Sequence, residues 1–410
     1  MRTLLMLFGA LVAIGISKAA QTGLASEKKE TCKCCKFAFQ LYQTLAKKSD
    51  GNIALATLSA FDSLYLLSNG ARGNTAKQIR NVLNDSYESV EELSHYKTFT
   101  KSLTENSSSN FIQALFIDKK IEVSPDFKNI SSAFITKPKF LNLEETEEAS
   151  AIVEKYFEDR STGNLKEVSR PLEKTAFTPQ SQNMFIQILF AYSGRFLYPF
   201  NPRYTENRPF CKNRDSKKSV PTMFARGKFR GILIPPSTEY SNSFRVIEIP
   251  YEEEFSLLVF SPLNSYQLDE LEHRLDSFDF SSVFNSKQED IALYLPKFNI
   301  FNGHRLKLPL REMGMTDAFD NSASFGGISS SPLHLEDIFI KTYFSVDETG
   351  TKVEALLKEP DYYQYVTQYA SPLVIDVNRP FLFSLVQKRG NDVVCILNGR
   401  VYNPEILPSF

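Results

Sequence analysis

The chain has 410 residues, 42% of them hydrophobic and 23% charged, which is typical of a globular protein with a large core. Its 47 Lys and Arg residues nearly balance 48 Asp and Glu residues, so the formal net charge is −1. Such a chain has no basic field to attract phosphates or an anionic bilayer, so we expect no nucleic-acid partner and no membrane partner.

The first segment has the pattern of a secretory signal peptide. Arg2 gives a positive start, Leu4 to Ile16 is a short, mostly apolar run, and Ser17-Lys18-Ala19 supplies small residues at the cleavage positions. The apolar run is shorter than a membrane-spanning helix needs. We therefore predict a signal peptide over residues 1–19 and a secreted protein of the extracellular space, beginning near Ala20.

Five cysteines follow: Cys32, Cys34, Cys35, Cys211 and Cys395. They are too few and too dispersed for a disulfide scaffold. A metal site at the first three would need a fourth ligand and no histidine lies nearby, so no metal and no cofactor is expected. We predict a Cys-containing N-terminal tail over residues 20–35, held by one or two disulfides, with an odd thiol left over.

Three Asn-x-Ser triplets begin at Asn84, Asn106 and Asn129. This triplet is the acceptor sequence for N-glycosylation in secreted proteins. Because such triplets also arise by chance, they support the prediction of export without carrying it. We predict a glycoprotein with these three asparagines as its sites.

Helical periodicity dominates the first part of the mature chain. Phe37, Leu41, Tyr42 and Leu45 form one helical stripe. A second stripe, with the spacing i, i+3, i+4, i+7 and i+8, is formed by Ala149, Ile152, Val153, Tyr156 and Phe157.

Strand patterns dominate the later chain, after an early strand over 111–117. The later strands are predicted over 246–250, 256–261, 291–295, 338–346, 381–386 and 393–397. Helices first and long strands later predict an α+β protein with a large mixed sheet. With no linker in the mature chain, we expect one domain over residues 36–410.

Catalytic patterns are missing from the sequence. Its four histidines, His95, His273, His304 and His334, share no metal-ligand spacing. The chain also has no glycine-rich phosphate loop and no G-x-S-x-G elbow. The protein is therefore not predicted to be an enzyme, and no catalytic residue is assigned.

A series of short motifs spans nearly the whole mature chain. They are Asn52-Ile53, 69–75, 199–202, 207–210, 246–251, 295–298, 314–319, 324–328, 346–351, 378–383 and 399–401. Each is weak alone, but in this order and spacing they closely resemble the serpin family of serine protease inhibitors. The resemblance implies a monomer with three β-sheets, eight or nine helices and an exposed reactive-centre loop near the C-terminus.

The resemblance also implies a mechanism. Inhibitory serpins offer the loop as bait to a serine endopeptidase, and the loop inserts into the main sheet after cleavage while the protease is held as an acyl-enzyme. By analogy the loop runs from about Glu348 to Leu373. Its hinge falls on Glu348, Gly350, Thr351, Val353 and Ala355.

The loop departs from the inhibitory pattern after Thr351. Small residues, mostly alanine, are usual there, and this chain has Lys352-Val353-Glu354-Ala355-Leu356-Leu357-Lys358. Val353 and Leu356 are stiffer or bulkier, which raises the barrier to insertion. Pro360 lies two residues further on, and proline cannot donate a hydrogen bond to a central strand.

The bait residue determines which class of protease is expected to cleave the loop. Counting fourteen residues from Gly350 gives Gln364, with Tyr363 and Tyr365 beside it. Because no Lys or Arg lies between Glu359 and Asn378, the predicted target accepts aromatic residues, as chymotrypsin does.

The family resemblance also locates the region under the main sheet, called the shutter, that opens during insertion. A Ser, an Asn and a His form a polar cluster there in the family, and their places fall on Ala56, Ile188 and Ile340. All three polar groups are replaced together, which makes a dry and more rigid contact.

Two functions remain open from the sequence. In the first, the trap is weakened or lost, and the protein is a weak inhibitor or a non-inhibitory serpin that binds another protein partner. In the second, it is an active suicide inhibitor of a secreted chymotrypsin-like serine endopeptidase.

Overall fold

The computed structural model describes residues 33–84, 90–105, 109–161, 184–236, 242–263, 266, 268–275, 278–351, 371–390 and 392–405. These residues belong to one compact unit that runs from Cys32 to Phe410. The signal peptide, Asn106, Val353, Ala355 and all three candidate bait residues lie outside the described residues.

Nine α-helices lie in the described ranges. They are α1 Lys33–Ala46, α2 Thr57–Gly70, α3 Gly73–Val82, α4 Val90–Thr104, α5 Pro125–Ile130, α6 Thr146–Glu158, α7 Asp269–His273, α8 Phe280–Phe284 and α9 Lys307–Glu312. Among the helices described, none is both long and apolar enough to cross a membrane.

The helices follow the predicted stripes with one exception. The stripe of α1 is buried, and α2 is buried on nearly all sides, as its apolar sequence requires. On α6, Ala149, Val153 and Phe157 are buried, but Ile152 is 44% exposed. The prediction that Ile152 belongs to the buried stripe is wrong. The buried line of α6 runs through Ala149, Val153 and Phe157 only, and Ile152 lies to one side of it.

Sixteen strands lie in the same ranges. They are β1 Ile53–Leu55, β2 Ser109–Asp118, β3 Lys137–Leu141, β4 Met184–Tyr192, β5 Gly194–Arg195, β6 Glu206–Cys211, β7 Lys217–Ile234, β8 Phe244–Pro250, β9 Phe255–Pro262, β10 Gln288–Pro296, β11 Phe298–Arg305, β12 Leu335–Val346, β13 Gly350–Thr351, β14 Leu373–Asp376, β15 Phe381–Arg389 and β16 Asp392–Val401.

The strands form three sheets. A nine-stranded sheet has the order β1-β16-β15-β9-β8-β7-β10-β14, with β6 paired to β7. A five-stranded sheet has the order β11-β12-β4-β2-β3, and β5 pairs with β13. Three sheets and nine helices in the described residues confirm the predicted α+β class and the predicted fold.

The five-stranded sheet is mixed, and it carries the candidate site. Its two central strands, β4 and β12, run parallel, while β11 is antiparallel to β12 and β2 is antiparallel to β4. One face packs on the main core and the other packs beneath α6, in a cluster that contains Phe116, Phe157 and Phe185. Both faces of the central strands are therefore mostly buried, with the pair Gln187 and Phe339 half-buried.

Candidate functional site

The site has two parts: the junction of β4 with β12, called the seam here, and the hinge above it. The seam pairs Ile186 to Ala191 with Ile338 to Tyr343, residue by residue in parallel register. Any strand that enters the sheet between β4 and β12 has to separate these pairs and their backbone hydrogen bonds. The seam would therefore be the barrier to a strand that entered the sheet here.

The core face of the seam is apolar apart from the buried Thr342. Ile186 and Ile338 are register partners, as are Ile188 and Ile340, and each of the four is at most 1% exposed. All four side chains belong to the main hydrophobic core. Opening the seam removes their apolar contacts, which is the main cost of insertion on this face.

The opposite face of the seam lies beneath α6. Leu189, Ala191 and Tyr343 are buried there, together with the side chain of Lys341. Burial lowers the pKa of Lys341 to about 8, and the nearby carboxylate of Glu154 opposes that shift. A charge placed in these rows loses its hydration.

The three positions assigned to the shutter lie together. Ile188 and Ile340 face each other across the seam, and the backbone N–H of Ala56 donates to Thr342 Oγ1 at 3.3 Å. Ala56 is fully buried. The substitutions noted in the sequence thus fall in one region of the main core.

His304 lies beside the contact of Ile188 with Ile340, although no sequence motif links this histidine to the shutter. His304 on β11 is the register partner of Ile340, so its side chain projects on the same face of the sheet. Its Nε2 is buried and has no hydrogen-bond partner among the described residues. Burial lowers the pKa of His304 to about 4. Only the strand register reveals this neighbour, because His304 and Ile340 are far apart in the sequence.

The hinge begins with a tight turn after β12. Gly350 pairs with Arg195 and Thr351 pairs with Gly194 in antiparallel register, while Gly350 also bridges to Asp347. Gly350 has φ +141°, and a Cβ there would lie 2.2 Å from the carbonyl oxygen of Gly194. Only glycine fits, because a side chain would be both strained and in collision.

Side chains hold the hinge on both sides of Gly350. Thr351 is 1% exposed, and its Oγ1 lies 2.6 Å from the hydroxyl of Tyr251. Glu348 accepts from Lys297 Nζ at 2.7 Å and from Thr205 Oγ1 at 2.8 Å. The three hinge residues that the structure describes are thus anchored to neighbouring segments of the core.

The glycosylation candidates differ in accessibility. Asn129 is exposed on α5. Asn84 is half-buried, and its Nδ2 donates to Gln40 Oε1 at 2.8 Å. A glycan is therefore easier to accommodate at Asn129 than at Asn84.

This geometry, a loop hinge clamped above a mixed five-stranded sheet, defines the class of the protein. A family model described as Serpin (serine protease inhibitor) matches residues 33–404. The chain belongs to the serpin family, whose members bind target proteases and are generally not enzymes themselves. The family membership predicted from the motifs is confirmed.

Similar proteins cover the chain almost from end to end. Neuroserpin of Gallus gallus is 27% identical over 402 residues, covering 95% of this chain and 94% of the relative. Leukocyte elastase inhibitor of Xenopus tropicalis is 26% identical over 377 residues, covering 85% and 93%. The crystal structure of Serpin48 from the insect Tenebrio molitor has a TM-score of 0.78 at 20% identity, covering 93% of this chain and all of that one.

Proposed function

We propose that this protein offers residues 352–370 to a secreted chymotrypsin-like serine endopeptidase but traps it weakly, because the cleaved loop inserts only partway. The observation that carries the proposal is the row formed by Ile186 and Ile338. Both residues are fully buried. An inserting loop would bring the carboxylate of Glu359 into that row.

The hinge fixes the register of an inserted loop. Gly350 lies opposite Arg195 and Thr351 lies opposite Gly194. Continuing this antiparallel pairing one residue at a time would bring Leu357 opposite Ile188 on β4. On the other side, the bridge between Gly350 and Asp347 leads by the same count to Ile340 on β12. The two counts agree, because Ile188 and Ile340 are themselves register partners.

The first rows of such an insertion fit. Val353, Ala355 and Leu357 would all project toward the core face, where alternate residues of one strand belong. Leu357 would enter between Ile188 and Ile340, so the apolar shutter would receive an apolar side chain. The shutter has lost its polar cluster, and the loop residue that would meet it is apolar as well. Insertion as far as Leu357 is therefore favourable.

The row after Leu357 on the same face does not fit. Glu359 would lie between Ile186 and Ile338, where an ionised carboxylate has no partner, at a cost of several kcal/mol. Pro360 comes next and lacks the N–H that a central strand needs. Insertion is therefore expected to stop near Lys358.

Incomplete insertion decides the outcome of the reaction. Trapping succeeds only if insertion is complete before the acyl-enzyme hydrolyses, and ordinary turnover runs at about 1–10³ per second. A loop that halts partway leaves the protease able to deacylate. The protein would then be consumed mostly as a substrate.

A second candidate is an efficient suicide inhibitor of the same protease class. It is favoured by the hinge, since Glu348, Gly350 and Thr351 keep the family pattern and are anchored. The inhibitor named among the relatives supports it as well. It requires that Glu359 enter the sheet despite its charge.

Titration of the protein with chymotrypsin tests the proposal. Most molecules are expected to be cleaved between Tyr362 and Ala370 without forming a complex that survives SDS. Denaturing gels and mass spectrometry give the two fractions. A nearly one-to-one yield of stable complex would refute the weak trap and establish the second candidate.

We also propose that the protein acts outside the cell as a glycosylated monomer. Support comes from the signal-peptide pattern of residues 1–19 and from the exposed Asn129. N-terminal sequencing of secreted material should begin near Ala20. Retention of Met1 on a cytosolic protein would contradict this.

A further inference from the structure

A buried carboxylate lies under β2, one strand away from the seam. Asp62 on α2 is fully buried, and its two oxygens accept five hydrogen bonds. Oδ2 accepts from Gln113 Nε2 at 2.7 Å, and from the backbone N–H and the Oγ1 of Thr136, both at 2.8 Å. Oδ1 accepts from the backbone N–H of Ile135 and from the Tyr96 hydroxyl, both at 3.0 Å. A single side chain therefore joins α2, α4, β2 and the segment that leads into β3.

Gln113 connects this carboxylate to the strand beside the seam. It is the register partner of Ile188, so both side chains project on the core face of the sheet. Its Nε2 also donates to Thr136 Oγ1 at 2.8 Å, and the residue is buried. The row across the sheet thus runs from Gln113 through Ile188 and Ile340 to His304, with a polar link to α2 at its β2 end.

The hydrogen bonds to Asp62 are stronger than most. Bonds to an ionised carboxylate are roughly twice as strong as bonds between neutral groups. Removing one partner from such a buried network also leaves a polar group unsatisfied, which adds a desolvation cost. Gln113 and Thr136 are therefore held to Asp62, and through them β2 and β3 are held to α2.

A shift of β4 away from β12 would have to break this link. A strand placed between β4 and β12 needs about 4.8 Å of extra width. Because β4 is paired with β2, and β2 with β3, the three strands would shift together. The helix α2 packs against β2 and β4, is buried on nearly all sides, and has no room to follow them. A shift of that size would break the 2.7 Å bond between Gln113 Nε2 and Asp62 Oδ2.

We propose that Asp62 is a polar lock that fixes β2 and β3 to α2 and so restrains opening of the seam in the uncleaved protein. Because Ile188 and Ile340 are apolar, the directional hydrogen bonds of their row lie at Gln113, one strand away. The lock acts before any protease cuts the loop and involves none of the residues 352–370. It therefore goes beyond the proposed function, which concerns the fate of the loop after cleavage.

Amide hydrogen exchange of the intact, uncleaved protein tests the lock. Gln113→Met keeps the length of the side chain and removes its hydrogen bonds to Asp62 and Thr136. We expect peptides covering 186–191 and 338–343 to exchange about tenfold faster in this variant than in wild type, because the seam opens more often. Peptides covering 244–250 and 255–262, in the nine-stranded sheet, should exchange at the wild-type rate.

Tyr96→Phe is the matched control, because it removes one donor from the same carboxylate but cuts only the link to α4. Its seam peptides should exchange as in wild type. If Gln113→Met does not fold, the isosteric variant Thr136→Val takes its place. It removes the hydroxyl that accepts from Gln113 and donates to Asp62, and it should accelerate exchange of the same peptides.

Three outcomes would refute the lock. The first is unchanged exchange of the seam peptides in Gln113→Met. The second is an equal acceleration in all sheets, which would mean that Gln113 stabilises the fold as a whole. The third is an equal acceleration in Tyr96→Phe, which would mean that the link to β2 has no special effect. None of these outcomes bears on the weak trap, which depends on Glu359, so each proposal can fail without the other.

Discussion

The variant Glu359→Leu is expected to turn the loop from a substrate into a trap. Leucine would enter the row between Ile186 and Ile338 as a further apolar side chain, where glutamate would bury an unpaired charge. If the carboxylate costs about 3 kcal/mol, its removal shifts the partition toward stable complex by about 100-fold. Chymotrypsin titration with denaturing gels measures the change.

Two control variants belong with this prediction. Pro360→Ala restores the missing hydrogen-bond donor but leaves the carboxylate, so it should remain mostly a substrate. Glu122→Leu makes the same chemical change at an exposed site and should behave as wild type. If Glu359→Leu is consumed as readily as wild type, the proposed row for Glu359 is wrong.

Acidification is expected to destabilise the protein through His304. His304 is half-buried with its Nε2 buried, and the folded state holds the pKa of its imidazole at about 4, below the ordinary value of 6.5. Above pH 6.5 the imidazole is neutral in both states and has no effect on stability. As the pH falls from 6.5 to 4, the unfolded state binds the proton first, so up to about 3 kcal/mol of stability is lost.

Replacement of the histidine isolates this effect. In His304→Phe, that part of the acid sensitivity should disappear, and denaturant unfolding at pH 7 and at pH 4.5 measures it. His95→Phe on the exposed face of α4 is the control and should keep the wild-type pH dependence. Equal pH dependence in His304→Phe and wild type would show that the imidazole is not held neutral by the fold.

The fold could be predicted from the sequence because the patterns that identify it are local. Stripes such as that of α1 and short motifs such as 346–351 each depend on a few neighbouring residues, and their order identified the architecture. The shutter positions could also be assigned, since Ile188 and Ile340 lie at fixed counts from recognisable motifs. The structure places these two side by side in the seam.

The contacts that the sequence left undetermined depend on strand register. His304 is beside Ile340 only because β11 pairs with β12, and no local pattern encodes that pairing. The row of Glu359 likewise depends on the pairing of Gly350 with Arg195. Alternate residues of any strand project to opposite faces, but the sequence could not say which buried partners each loop residue meets.

Amide hydrogen exchange of the cleaved wild-type protein tests the central claim of partial insertion most directly. After clean cleavage within Tyr362–Ala370, peptides covering 352–357 should exchange slowly, because they pair with β4 and β12. Residues 359, 361 and 362 should exchange fast. Slow exchange through residue 362 would mean that the loop inserts fully and would contradict partial insertion. Fast exchange from residue 352 onward would show that even the first rows do not form, which would contradict the register derived from the hinge.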